Sequence, residues 1–441
     1  MASAASIPSS SQPEPPMVHA SNIFSIKELA ELKGDSSLIP STYHSISQLH
    51  DDDDDAECLA SSIPVIDFSH LTSHHPQTHT KAVHLLGKAC AEWGVFMLTN
   101  HGILENMVEK LMEKSREFHD LPIEEKKEFG DKSPLEPIRH GTSFFPHVEK
   151  VHYWRDFLKA NTFPQFNFPH KPPGYREVAY EYSQKIRGLV RKLLEGISES
   201  LGLASNSIIE STEFDSGHQV FVANMYPPCP QPHLALGLPP HSDIGLLTLL
   251  TQNGIGGLQV KHHGKWVNVN PLSNSIIVIL ADQLEVLSNG KYEGVLHRAI
   301  LNNEETRISV VMVNGPALDK EIGPLAELLE KEKPLFKSMT YQDYFQFHQR
   351  TRLDDKNTFD DKLIVFLWNL EGFSILKAVE EDEVLEEFGF GFSFLFLLHS
   401  LWTAHILPPL LTVHCNEYLH TIEMAFVEIT SILPNFVFQN T

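Results

Sequence analysis

The spacing of apolar residues changes character several times along this chain. Before residue 63 they are sparse, within a Ser-, Pro- and Ala-rich stretch that ends in the unbroken acidic run Asp51 to Asp55. Like charges so close together repel one another in any compact element, so 1–62 is expected to be a disordered acidic lead with one short helix around Ile26 to Leu32. Pro64 to Phe68 then makes a short apolar strand, and Val83, Leu86, Ala89, Cys90 and Trp93 recur along one side of a helix. Val95 to Leu98 returns as a strand before the turn Asn100-His101-Gly102. Leu104 to Phe118 is helical, and Leu121-Pro122 breaks it and opens a second, charged helix through Glu128. Pro137 to Pro173 is dense in Pro, His and aromatics and reads as irregular. Tyr175 to Leu201 carries the longest helical pattern, with Tyr182, Ile186, Leu189, Val190, Leu193 and Leu194 on one face, and packing accounts for it.

Between Val220 and Val313 the pattern shortens to β-rich runs: Val220 to Asn224, Gly245 to Thr251, Leu258 to Val260, Trp266 to Val269, Ser275 to Leu280, Val295 to Ile300 and Ile308 to Val313. Turn signals such as His263-Gly264-Lys265 and Ser288-Asn289-Gly290 separate several of them, and strands at this spacing predict a sandwich or jelly roll braced by helices. The fold class expected is mainly β with flanking helices. Its parts are the lead 1–62, an N-terminal α/β helical region 63–205, a jelly-roll domain 216–317, a helical segment 318–360 and an apolar tail 361–441. Within that tail, 388–416 holds no Asp, Glu, Lys or Arg and is long enough to span a bilayer. Gly389, Gly391, His399, His405 and Pro408-Pro409 interrupt it, so a poorly packed appendage is expected rather than an anchor.

A formal charge of −23 disfavours nucleic acid and anionic membrane surfaces as partners. The four cysteines, Cys58, Cys90, Cys229 and Cys415, form no CxxC pair, which argues against a disulfide framework or a zinc cluster and for a reducing compartment. No basic region leads into an apolar stretch at the N-terminus, so a cytoplasmic monomer, open to the nucleus, acting on a small molecule is the expectation.

The chemistry concentrates in the β-rich region. His241-Ser242-Asp243 is read as the opening of a strand, where residues two apart share a face. His297 follows 54 residues after Asp243 on another β-run. Two imidazoles and a carboxylate on one side of a metal leave the opposite positions open, as in non-haem iron oxygenases, although zinc enzymes use the same donors. Arg307 comes ten residues after His297, with Ser309 two further along the same strand face. A guanidinium fork suits a carboxylate, and a buried cation is costly without such a partner. Together these residues sketch a dicarboxylate slot beside a metal, to which Tyr226 adds a phenol or is simply packed. His262-His263 and His101 are expected in turns rather than at a metal.

These residues resemble a known family, the plant 2-oxoglutarate- and Fe(II)-dependent dioxygenases, over roughly Ile63 to Asp360. The resemblance rests on Asn224-Met225-Tyr226-Pro227-Pro228-Cys229-Pro230, Pro239-Pro240-His241-Ser242-Asp243, Gly256-Gly257-Leu258-Gln259-Val260, Asp282-Gln283-Leu284-Glu285, His297-Arg298-Ala299 and Arg307-Ile308-Ser309, in the family's order and spacing. Upstream, Pro64-Val65-Ile66-Asp67 and Trp93-Gly94-Val95-Phe96 look like its N-terminal region. It implies a double-stranded β-helix, Fe(II) on His241, Asp243 and His297, 2-oxoglutarate on Arg307, Ser309 and Tyr226, O2 as oxidant and ascorbate as reductant. Within the family the flavanone 3-dioxygenase and downy-mildew-resistance types are most similar, which implies hydroxylation or desaturation of a small plant metabolite or hormone, flavonoid-like in kind. Asn224, Phe144, Phe145 and Trp154 are candidate substrate contacts, though a pocket and a core draw on the same aromatics. Where the family usually shows Asn-x-Gly-Asp this chain has Ile279-Leu280-Ala281-Asp282, which bears on substrate preference and full activity. The alternative from another class is an inactive relative that binds a small ligand or a protein; the intact ligand set argues against it.

Overall fold

Two β-sheets carry the fold in the computed structural model, which describes residues 25–33, 38–45, 62–130, 132–133, 135–142, 151–330 and 332–350. The tail 361–441 and the candidates Phe144 and Phe145 lie outside the described residues. The larger sheet has eight strands in the order β1-β2-β10-β7-β12-β5-β4-β3. These are β1 (Val65–Asp67), β2 (Val95–Thr99), β3 (Ile138–Gly141), β4 (Asp156–Phe163), β5 (Gln219–Tyr226), β7 (Leu247–Gln252), β10 (Ile276–Leu280) and β12 (Arg307–Asn314). The smaller sheet runs β6-β11-β8-β9, from β6 (Leu238–His241), β11 (His297–Ala299), β8 (Leu258–His262) and β9 (Lys265–Asn268). β1 and β2 pair in parallel, and the other pairings in both sheets are antiparallel, the pattern of a jelly roll.

The pleat divides the large sheet into two working faces. Phe221, Ala223 and Met225 on β5, with Ile308, Val310 and Met312 on β12, join the cluster built on the Tyr175–Ser200 helix. That helix buries Tyr182, Ile186, Leu189, Val190, Leu193, Leu194 and Ile197, as its period predicts. The alternate residues Val220, Val222, Asn224 and Tyr226, with Arg307, Ser309, Val311 and Val313, line a cavity instead. The small sheet lines the same cavity with Leu238, His241, Leu258, His297 and Ala299, so the functional space lies between the sheets.

The stretch 137–173 departs from the irregular reading, because β3 and β4 lie within it and extend the large sheet. Strand β4 has no apolar/polar alternation to betray it: six of its eight residues, Asp156, Phe157, Leu158, Lys159, Ala160 and Thr162, are buried, charged ones included. The short helix expected near the N-terminus is present and is packed rather than isolated in a lead. It spans Ile26–Lys33, and Ile26 and Leu29 pack with Tyr43, Trp154 and Cys229. Asp156 holds its start: Oδ1 accepts the Ile26 N–H at 2.7 Å, and Oδ2 accepts the Lys27 N–H at 3.1 Å and the Ser25 hydroxyl at 2.8 Å. A carboxylate is thus supplied from 130 residues away to the helix end that needs an acceptor.

Asp156→Ala is expected to cost about 1–3 kcal/mol in urea unfolding, the penalty of stranding buried donors. It should also make residues 25–33 an early site of limited proteolysis. Unchanged stability together with an unchanged digestion pattern would contradict this account of the helix.

Candidate functional site

Two prolines shape the first metal-site strand. Pro239 and Pro240 offer no N–H, which suits β6 to the edge position it takes in the small sheet and keeps it short. His241 therefore closes a strand rather than opening one, and Asp243 lies beyond it in the link to β7. The shared direction of the two side chains comes from this link, not from the pleat. Its shape is braced by the helix Asp282–Leu287, which the apolar pattern gave no sign of. The Asp282 N–H donates to the Asp243 carbonyl at 2.9 Å, and the Gln283 N–H to Gly245 at 2.8 Å. Burial pushes the Asp282 carboxyl up to about 7, against hydrogen bonds from Tyr344 and Ser242.

Antiparallel pairing of β11 with β6 sets His297 opposite His241, with ring centroids 4.2 Å apart. The Nδ1 of His241 lies 2.8 Å from the Pro239 carbonyl and that of His297 lies 2.9 Å from the Val295 carbonyl. A carbonyl oxygen only accepts, so each Nδ1 carries the hydrogen and each Nε2 keeps its lone pair. Both Nε2 atoms stand 3.8 Å from the Asp243 carboxylate, one from each oxygen. The three ligand atoms lie within 4.8 Å of one another, and buried Asp243 Oδ2 has no hydrogen-bond partner among the described residues. Lone pairs and an anionic oxygen aimed at one point, without a donor between them, fit a divalent cation. One face of that ion would be taken by protein and the other left to exogenous ligands.

Arg307 begins β12 opposite Tyr226 on β5, and Ser309 stands opposite Asn224. The Arg307 guanidinium is buried, donates from Nη2 to Gln252 at 2.9 Å, and has its carbon 5.0 Å from the centre of the Tyr226 ring. Burial lowers its pKa, and the Tyr226 hydroxyl works in the other direction. Its Nε has no hydrogen-bond partner among the described residues, which suits a carboxylate ligand. Two glycines make room for these side chains. A Cβ on Gly257, whose φ is +135°, would sit 3.1 Å from Arg307 Cδ and 2.9 Å from the Ile300 carbonyl. A Cβ on Gly237 would sit 2.5 Å from Tyr226 Cδ1.

The structure brings His241, Asp243, His297, Arg307, Ser309, Tyr226 and Asn224 to one cavity. It does not bring Trp154 there. The Trp154 indole is fully buried against Tyr43, gives its N–H to the Pro227 carbonyl at 3.2 Å and belongs to the cluster under the N-terminal helix. Its neighbour Arg155 turns the other way, donates from Nη1 to Asn224 Oδ1 at 2.8 Å and lines the cavity. Sequence reading missed Arg155 and Lys159 because their segment was not seen as a strand. It also missed Tyr341, Phe345 and His348, which line the cavity from the helix Tyr341–Arg350. His262 and His263 stand apart from the metal-site cluster; His263 has a φ of +48° and His262 stacks on Trp93. His101 is also elsewhere, tying its turn to the Asn274 carbonyl at 3.0 Å.

Comparison with known proteins agrees with this geometry. Residues 217–316 match the 2OG-Fe(II) oxygenase superfamily, and residues 63–181 match the family described as non-haem dioxygenase in morphine synthesis N-terminal. The chain is 44% identical over 300 residues to 2-oxoglutarate-dependent dioxygenase 19 of Oryza sativa subsp. japonica, covering 68% of this chain and 89% of that protein. It is 39% identical over 306 residues to Protein DMR6-LIKE OXYGENASE 2 of Arabidopsis thaliana, covering 68% and 86%. A crystal structure of JOX2 in complex with 2OG, Fe and JA superposes with a TM-score of 0.67 at 30% identity, covering 76% of this chain and 95% of that one. The chain belongs to the 2OG-Fe(II) oxygenase superfamily and is a plant 2-oxoglutarate-dependent dioxygenase.

Proposed function

We propose that His241, Asp243 and His297 hold the Fe(II), that Arg307 and Ser309 with Tyr226 seat the far carboxylate of 2-oxoglutarate, and that the rest of the cavity receives a small plant metabolite or hormone. One observation carries the reading: a three-donor cluster and a buried guanidinium line the same cavity between the sheets. When bound, iron and 2-oxoglutarate supply the oxidising chemistry, in which O2 is divided between succinate and the substrate as CO2 leaves, giving a hydroxylated product or a desaturated one plus water. The chain's own part is to hold, orient and exclude. The two backbone carbonyls fix the histidine rings, the Asp282 N–H fixes the Asp243 link, and Gln252 steadies Arg307. The walls Val220, Val222, Leu250, Ile279, Val311 and Val313 keep water from the reacting centre and favour an apolar substrate body. Relatives named flavanone 3-dioxygenase 2 of Oryza sativa subsp. japonica and feruloyl CoA ortho-hydroxylase 2 of Arabidopsis thaliana, each 37% identical, support an aromatic metabolite, flavonoid-like in kind. The enzyme works as a monomer in the cytoplasm or nucleus with ascorbate keeping its iron reduced; the free, buried Cys90 and Cys229 suit such a reducing compartment.

Succinate release from 2-oxoglutarate, with purified protein, Fe(II), ascorbate and a plant metabolite extract, tests the assignment alongside a search for products heavier by one oxygen. His241→Ala and Asp243→Ala should each abolish Fe(II)-dependent succinate formation while leaving the unfolding transition in place, and a chelator should do the same to the parent. Succinate formation that persists in both variants would remove the metal assignment.

Arg307→Lys keeps the charge but loses the fork, and is expected to raise KM for 2-oxoglutarate about 10- to 100-fold, since a charged hydrogen bond is worth about 1.5–3 kcal/mol. Gly257→Ala should move KM the same way by crowding Arg307. An unchanged KM in both would place the carboxylate elsewhere.

A further inference from the structure

The helix Tyr341–Arg350 meets the cavity with Tyr341, Phe345 and His348, spaced four and three apart and so on one face. The chain enters it from a short strand pair, Glu321–Ile322 with Met339–Thr340, and its first turn is fastened down. The Tyr341 N–H donates to the Lys320 carbonyl at 2.9 Å and the Gln342 N–H to the Leu318 carbonyl at 2.7 Å. The Thr340 hydroxyl caps the helix, accepting the Asp343 N–H at 3.1 Å. Tyr341 is buried in the main core, so close to Gly315 that a Cβ there would sit 2.5 Å from the phenol oxygen.

Tyr344 makes a different contact. Its hydroxyl donates to Asp282 Oδ2 at 2.8 Å, and its ring centre lies 4.3 Å from that of His348 on the cavity face. Asp282 opens the helix that braces the link carrying Asp243, and it touches that link twice. Its N–H donates to the Asp243 carbonyl at 2.9 Å, and its carboxyl group accepts from Ser242, the residue between His241 and Asp243. The residues on either side are fixed as well, the Ala281 N–H on the Leu246 carbonyl at 3.2 Å and the Gln283 N–H on the Gly245 carbonyl at 2.8 Å. A Cβ on Gly294 would sit 3.0 Å from Asp282 Oδ1, so the carboxyl group is packed on that side too. One side chain therefore holds the cavity helix on one hand and the metal-site link on the other.

Resting on the metal assignment above, we propose that Tyr344 is a positioning residue whose hydrogen bond to Asp282 couples the seating of the cavity helix to the placement of Asp243. The helix is held more firmly when the metal site is filled, and the site binds its metal more tightly when the helix is seated; linkage requires both together. A substrate body pressed against Phe345 acts on the metal-site link by the same route, because Phe345 and Tyr344 are neighbours on one rigid helix.

Hydrogen exchange of the 341–350 amides, read on the full chain with and without Mn(II), measures this coupling. Mn(II) should slow exchange there by about fivefold or more, the lower end of the coupling usual between two sites. The slowing should be absent in His241→Ala. Tyr344→Phe keeps the ring and loses the hydroxyl; it should remove the slowing and weaken Mn(II) binding by a matching factor. Thr340→Ala, which takes away the cap, should speed exchange with and without Mn(II) alike and so keep the ratio between them. A Tyr344 that served the helix's stability alone would behave as Thr340 does. The proposal is overturned, with the metal assignment left standing, by a parent that binds Mn(II) without slowing. Slowing that persists in Tyr344→Phe, or a Mn(II) affinity that this variant leaves unchanged, overturns it equally. A parent that binds Mn(II) no more tightly than His241→Ala removes the metal assignment, and this inference with it.

Discussion

Two imidazole lone pairs and a carboxylate with one buried oxygen, aimed at one point, are costly to keep together, and a cation would make the arrangement favourable. No donor among the described residues satisfies Asp243 Oδ2, and both histidines have their N–H groups committed to backbone carbonyls. The rest of the site enforces this proximity. The β6–β11 pairing brings the rings together, the prolines of β6 end it at the right residue, and the first turn of Asp282–Leu287 pins the link that carries the carboxylate.

The two sheets bring different groups to the cavity. The small sheet and its link bring the carboxylate, the imidazoles and Arg298, and the large sheet brings Arg307 and Lys159. A dicarboxylate with one end on a metal and the other on a guanidinium must reach from one sheet toward the other, so the spacing of the sheets sets the length of ligand that fits. Gly237 and Gly257 keep that spacing, because any side chain there would push on Tyr226 or Arg307.

Much of this was legible in the sequence wherever burial and chemistry made opposite demands. His, Asp, Arg and Ser inside β-rich runs are anomalous as packing, and their order from His241 to Ser309 matched a single purpose. What was hidden depended on partners distant in sequence. Strand β4 carries Asp156 and Lys159 at buried positions, so its pattern resembled a loop, and its charges make sense only with the N-terminal helix on one face and the cavity on the other. Trp154 was drawn to the pocket by its type, yet alternation with Arg155 sends it to the opposite side. The reading of His241 as the start of a strand failed because two prolines shorten β6 from within, a constraint visible in the sequence but outweighed by the HxD spacing.

The replacement of a polar residue and a glycine by Ile279 and Ala281 takes its meaning from this geometry. Ile279 is fully buried, lies opposite Thr248 on β7 and Val95 on β2, and its side chain forms part of the cavity wall. Ala281 is buried in extended backbone, at φ −120°, a conformation that needs no glycine, immediately before the helix that braces Asp243. Neither position supplies a donor to the metal cluster, and the brace itself is made by backbone groups that any residue provides. The change therefore removes the need to satisfy a buried amide and extends the apolar wall formed by Val220, Val313 and Leu250. The change thus bears on the cavity wall, and the three-donor cluster keeps its residues.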